Sequence, residues 1–500
     1  MPYHAAVSGG ATWLRWASAS ALALGCAHGR GASEGSFGWD YVVSAGAALE
    51  RLDVELCFRD RLPARLVADD ADAAGYITDV RALPGGKALR VDVAGGYIDT
   101  AGATGRCVAY AVDVARLVDE VEERPTVRVG GVVASSPHLW LWRPAKLFRE
   151  SEVTLRFRLP EGVRASVPWP EEDEKGGEGG GSGRYRLSST AFTWASQVVL
   201  GRFHEDRVEA AGAEFRVAVM DLQREISDEG VRRWISTAAE TVAGLYGGVF
   251  PVPHMQVLVV PYPGGGDPVY FGMALRGGGP GVMLLISNAA ADAAFPGEWV
   301  AIHEFLHHGM PFVDHDDAWL SEGFVTYYTE VLRTRAGFRG EAAAWRAILA
   351  GFGRGQGAAG ALALADESRQ MHENHAYQRV YWGGAAIALL ADVALREAGG
   401  SLDAAMQELR RCCAAAPRIW PAQQVLGEMD RWLASPHGGV HRPAPQLQAL
   451  AGPILRSAAF PELASIYRKL GVSVVNGEPT LDESAPLAHL RRAIFTPPAP

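Results

Sequence analysis

The hydrophobic period of this chain changes once, near residue 222, and that change divides what it can fold into. Upstream, apolar residues alternate with polar ones: Val54, Leu56 and Phe58; Leu89, Val91 and Val93; Val153, Leu155, Phe157 and Leu159; Phe215, Val217 and Val219. A period of two puts alternate side chains on one face, which predicts half-buried antiparallel strands. Many short strands broken by Gly and Pro predict a β-sandwich over residues 39–220. Within it, residues 171–184 are acids and glycines with nothing to bury, so a disordered loop is predicted there. Downstream, Ser227 is placed to cap a helix running to about Tyr246, where Gly247 and Gly248 stop it. Residues 257–260 and 282–286 read as strands, and from Pro296 onward the pattern is mostly helical. The fold class is therefore α+β and multidomain: an N-terminal sandwich, a mostly helical domain over 221–400, and a short helical region over 401–500.

Five hundred residues exceed what one core supports. At the start of the chain, Arg15 precedes an apolar run from Trp16 to Gly25, too short to span a bilayer but suited to a signal-peptide core over residues 1–26. Leu22-Ala23-Leu24-Gly25-Cys26 resembles a bacterial lipobox, with Ala23 where Leu is usual. The expectation is a secreted or periplasmic protein, either released by cleavage of a plain signal peptide or held at the membrane only by a lipid on Cys26, with a Gly, Ser and Ala-rich tether over 27–38. A net charge of −10 repels phosphate backbones and argues against a nucleic-acid partner. Cys57 and Cys107 fall in strand-like stretches and are candidates for a disulfide outside the cytoplasm. For the adjacent pair Cys412 and Cys413, near a helix end, packing is the expected role.

His303-Glu304-Phe305-Leu306-His307 carries the chemistry. At about 100° per residue the two histidines share one helix face, one turn apart, and can reach one tetrahedral Zn²⁺. Glu304 projects beside them, where it can take a proton from an attacking water. Trp299, Ile302 and Leu306 give the helix an apolar face, and Gly309 is a plausible stop. Asp316 and Asp317 open a second helix that carries Glu322 one turn in. Two His and one Glu with a fourth position open is the catalytic zinc pattern, not the closed structural one. His308 lies ~140° round the helix from His303 and should point away. His315, His372 and His375 fall in loop-like stretches and read as surface residues.

These residues carry a resemblance. His303 to His307, followed by Trp319-Leu320-Ser321-Glu322-Gly323-Phe324, resembles the gluzincin metallopeptidases, in particular the aminopeptidase N family. Glu322 to Tyr328, then Arg335-Ala336-Gly337, resembles the glycyl aminopeptidases more closely. Tyr381-Trp382-Gly383-Gly384-Ala385, continuing through Asp392 and Arg396 to Asp403, is similar to a helix of both families whose Tyr stabilises the oxyanion, a role that falls on Tyr381, with Tyr377 one turn earlier as the other candidate. The resemblance spans roughly residues 220–415. It implies a thermolysin-like catalytic domain, zinc as cofactor, His303, His307 and Glu322 as ligands, Glu304 as general base, and a peptide or protein substrate.

The sequence departs from both families. Gly383 stands where they carry Lys. The strand whose Glu binds a substrate's free amine has no clear counterpart: residues 270–286 hold Arg276 and no acid, and Asp267 is the nearest carboxylate. Aminopeptidase and endopeptidase therefore both stand, and the alternative is a zinc-binding, catalytically silent scaffold at the cell surface.

Overall fold

The computed structural model describes residues 37–120, 126–148, 150–172, 183–220, 222–436, 438, 440 and 445–497. The expected signal peptide, Cys26, nearly all of the tether and most of the 171–184 loop lie outside these residues.

The N-terminal unit centres on six strands: β1 (Gly38–Ala45), β2 (Arg51–Phe58), β3 (Ile77–Leu83), β4 (Cys107–Asp113), β5 (Glu152–Arg158) and β6 (Arg184–Leu187). Their order across the sheet is β6-β5-β1-β2-β4-β3. Along β2 every second residue is buried, as the alternation requires. The pairing of β1 with β5 is parallel, not antiparallel as expected, because these strands are joined by a hundred residues of intervening chain and not by a hairpin. Two smaller four-stranded sheets supply the opposing layer. Leu66, Ile98, Val133 and Leu200 from these sheets meet Trp39, Tyr41, Val54 and Leu155 in one core. Cys57 and Cys107 sit opposite each other on β2 and β4 and form a disulfide.

A second sheet follows: β7 (His204–Ala210), β8 (Ala213–Val219), β9 (His254–Tyr262), β10 (Val269–Leu275) and β11 (Gly281–Ser287), in the order β7-β8-β9-β11-β10. The alternation assigned residues 204–219 to the sandwich, but β8 pairs with β9 and belongs here. Alternation reports that a strand has two unlike faces; it does not report which sheet the strand joins. β8, β9 and β11 run parallel, and β10 closes the edge antiparallel to β11.

Helices cover one face of this sheet. They are α1 (Asp228–Ala243), α2 (Trp299–His307), α3 (Ala318–Arg335), α4 (Glu341–Gly357), α5 (Tyr377–Glu397) and α6 (Leu402–Cys412). Ser227 caps α1 by accepting from Gly230 N–H. Phe215, Val217, Val257 and Leu284 meet Trp234, Ile235, Phe305 and Leu306 in a large core. On the other face, Ala218, Leu258, Val260 and Met283 meet Val132, Ala134 and Val199 of the N-terminal unit. Burial on both faces accounts for the near-continuous apolar run of β9.

Beyond α6 the described residues add four helices, at Ala422–Leu433, Leu447–Leu455, Ala464–Leu470 and Ala488–Phe495. Val425, Met429, Leu447 and Ile494 join the same core as α2 and α3, so the region is a continuation of that core. It also holds an unexpected hairpin, Val472–Val475 with Glu478–Leu481, turned by Asn476 and Gly477 at φ 55° and 81°. Cys412 and Cys413 are joined to each other, beyond the packing role expected of them. Among the described residues no helix is long and apolar enough to cross a membrane.

Candidate metal centre

Helix α2 is the centre of the site. Glu298 starts it, its carboxylate accepting from Val300 N–H at 2.8 Å and Ala301 N–H at 3.1 Å. Every residue from Val300 to Leu306 is buried, so the helix is gripped all round. One turn separates His303 from His307, and their ring centres are 5.0 Å apart. From α3, Glu322 Oε2 lies 3.1 Å from His303 Nε2 and 3.5 Å from His307 Nε2. Donors bound at about 2.1 Å in a tetrahedron would stand about 3.4 Å apart, so the spacing and chemistry of this group fit a zinc ion. Among the described residues it is the one group of His, Cys, Asp and Glu gathered closely enough to hold a metal. Burial works against the Glu322 charge, yet His307 and His303 hold its carboxyl well below the ordinary range. Thr329 Oγ1 stands 3.5 Å from His303 Nδ1, on the side away from the ligand atom.

The other histidines stay out of the group. His308 is buried, with Nε2 3.0 Å from Gly281 O on β11, pointing away as the helical angle requires. His315, His372 and His375 are exposed, as expected, and His372 Nδ1 lies 3.1 Å from the Tyr377 hydroxyl.

Glu304 lies under the edge strand. A Cβ on Gly272 would come within 2.5 Å of Glu304 Cγ and 2.6 Å of Val300 Cγ1, so the missing side chain sets how closely α2 approaches β10. Burial pushes the Glu304 carboxyl up to about 7; the charges of Glu322 and Glu298 add to this, while His303 and a hydrogen bond from the Ala274 backbone oppose it.

Tyr381 reaches the site from α5. Its ring stacks on His303, with centroids 6.2 Å apart and planes 10° from parallel. Burial, then the charges of Glu322 and Glu304 and a hydrogen bond to Glu322, push its hydroxyl well above the usual tyrosine value. Tyr377 is turned toward His372 and His375. The approach of α5 to α3 depends on a crossing of two glycines. A Cβ on Gly384 would overlap the Trp319 carbonyl, and one on Gly323 would overlap the Gly384 backbone. At the neighbouring Gly383, a Cβ would meet Arg379 Nη1 at 3.0 Å. Because the obstruction at Gly384 is backbone, no rotamer change can relieve it. Gly384→Ala is expected to cost about 3 kcal/mol, at the upper end for overpacking, and to part Tyr381 from Glu322. Thermal unfolding checks this, and an unchanged Tm would contradict the close crossing.

Arg276 does not face a substrate. Its guanidinium donates to His307 O, the last carbonyl of α2, and, at 3.1 Å, to Met310 O in the turn that follows. Asp267 is exposed, in the bend that precedes β10. Sequence reasoning missed Glu298, Gly272 and Gly384. Of these, Gly384 left a signal: two adjacent glycines inside a helix cost about 1 kcal/mol each, which points to a close approach.

Neither family models nor curated proteins match this chain by sequence. Solved structures do match. An aminopeptidase N family protein from Idiomarina loihiensis aligns with a TM-score of 0.64 at 14% identity, over 87% of this chain and 78% of that one. A two-domain M1 zinc metallopeptidase variant bound to L-arginine gives 0.53 at 15% identity, over 85% and 95%. An M1 zinc metallopeptidase from Deinococcus radiodurans gives 0.51 at 15% identity, over 85% and 94%.

Proposed function

We propose that this chain, which has the gluzincin aminopeptidase-like fold of those structures, is a zinc-dependent peptidase. The observation that carries the reading is the meeting of His303, His307 and Glu322 with Glu304 and Tyr381 at one place, from three separate helices. When bound, zinc supplies Lewis acidity that polarises a scissile carbonyl and acidifies a water. Glu304, near neutrality and held against β10, takes the proton from that water and returns it to the leaving amine. Tyr381, whose hydroxyl burial pushes well above the usual tyrosine value, donates to the developing oxyanion. The Cys57–Cys107 disulfide supports export to an oxidising compartment. The test is metal content and peptide hydrolysis on the same preparation. One zinc per chain, lost with activity on chelation and restored with zinc, is expected; turnover that survives complete removal of metal would overturn the reading.

The reading extends to where substrates are cut. A dedicated aminopeptidase pairs the substrate ammonium with a carboxylate, a charge-assisted bond worth about 1.5 to 3 kcal/mol. On β10 there is no acid, Arg276 donates to carbonyls at the end of α2, and Asp267 is exposed in the bend before the strand. Matched peptides with free and acetylated N-termini are therefore expected to be cleaved at rates within ~10-fold, since 1.4 kcal/mol is a factor of ten. Complete loss on acetylation would reveal an amine-binding acid from another element.

A further inference from the structure

We propose that Arg276 is a positioning residue for His307, and that through it the N-terminal unit sets the geometry of the metal centre. The inference rests on the zinc reading above.

Arg276 follows the last residue of β10, and its two ends are held by different parts of the molecule. Its backbone N–H donates to Ala195 O at 3.0 Å, and the next residue, Gly277, donates to the same oxygen at 2.8 Å. Gly278 N–H donates to Thr190 Oγ1 at 3.2 Å, and Trp169 Nε1 donates to Gly277 O at 3.1 Å. Four hydrogen bonds thus fix residues 276–278 to two loops of the N-terminal unit. The side chain runs the other way, to His307 O and Met310 O. Its guanidinium also lies over Phe312, 5.5 Å from the ring centre, and Phe312 meets Trp194 edge to face at 4.8 Å. Among the described residues Arg276 has no carboxylate partner. The negative end of α2 serves as its counter-charge.

A half-buried cation held by two carbonyls resists moving away from them, since each lost bond leaves a charged donor that water reaches only in part. One of the carbonyls belongs to the residue whose imidazole is a proposed ligand. The backbone of His307 is thereby tied, through one side chain, to loops more than a hundred residues earlier. Groups that orient metal ligands typically change metal affinity by 10- to 100-fold when removed.

The experiment measures the zinc dissociation constant by chelator competition, alongside thermal unfolding and hydrogen exchange of amides 299–312. Arg276→Met should raise the constant 10- to 100-fold and speed exchange at the end of α2. Arg276→Lys, which keeps the charge and loses the fork, should fall between. Thr190→Val and Trp169→Phe loosen the grip from the far side without touching α2, and their combination should raise the constant several-fold. Val54→Ala, a cavity in the N-terminal core, is the control: it should lower Tm with the constant unchanged. A folded Arg276→Met that binds zinc within twofold of the parent overturns the proposal. Should that variant fail to fold, an unchanged constant in the Thr190→Val, Trp169→Phe combination overturns it equally. If the parent itself binds no zinc, the zinc reading fails separately, and unchanged exchange at the end of α2 in these variants then overturns the positioning role.

Discussion

Glu304→Gln is expected to lower peptide turnover by about 10² to 10⁴-fold, the range for removing a general base, while zinc content stays at the parent level. Gln has the shape of Glu but accepts no proton at neutral pH. Glu304 stands beside the ligand group and not in it, so the metal should be retained. The fold should survive too, because a buried carboxyl pushed up to about 7 is costly to ionise and an amide avoids that cost. The Ala274 N–H that bonds Glu304 keeps an acceptor in the amide oxygen. The parent enzyme should show a related pH dependence. A base works only when deprotonated, so kcat/KM should rise with pH, and a bound cation lowers the midpoint, placing this limb at or below about 7. The limb should disappear in the variant. Near-normal turnover in a zinc-replete Glu304→Gln protein would mean that a different group takes the proton.

Tyr381→Phe is expected to lower kcat by roughly 10² to 10³-fold, the cost of one oxyanion donor. KM should change little, because the bond strengthens only as negative charge develops on the carbonyl oxygen. The hydroxyl is aimed at the ligand group and the ring is stacked on His303, so removing one oxygen leaves the packing in place. Tyr377→Phe is the control one helical turn away. Its hydroxyl faces His372, and its loss should leave kcat within a few-fold of the parent. A reversal of the two effects, measured with steady-state kinetics on the same peptide, would move the oxyanion role to Tyr377.

The candidate ligands were legible because they obey local geometry. His303 and His307 are one turn apart on a single helix, and Glu322 lies one turn into another that follows after a short connection. The rejection of His308 followed from the same angle and agrees with its bond to Gly281. What the sequence hid was the destination of each element. Residues 204–219 alternate whichever sheet they join, so their pairing with β9 carried no local mark. Arg276 looked like a charge lining the cleft because its strand does border the site; only the end of α2, brought in by tertiary folding, shows where the guanidinium goes. The C-terminal hairpin was different: Asn476-Gly477 directly after the β-branched run Val474-Val475 is a strong local turn signal, overlooked among short helical stretches.

The β9 sheet lies between two layers, with helices on one face and Val132, Ala134 and Val199 of the N-terminal unit on the other. This bears on how such a chain can change over evolution. Every proposed ligand and catalytic group lies after residue 300, so the chemistry could in principle be inherited by the second half alone. That half would carry Leu258, Val260, Leu275 and Met283 bare on one face, a contiguous apolar patch that would drive aggregation. Gene fission between the units would therefore be tolerated only if the two products reassociated, or if a new subunit covered the sheet. The layer that Val132, Ala134 and Val199 supply must therefore be kept or replaced.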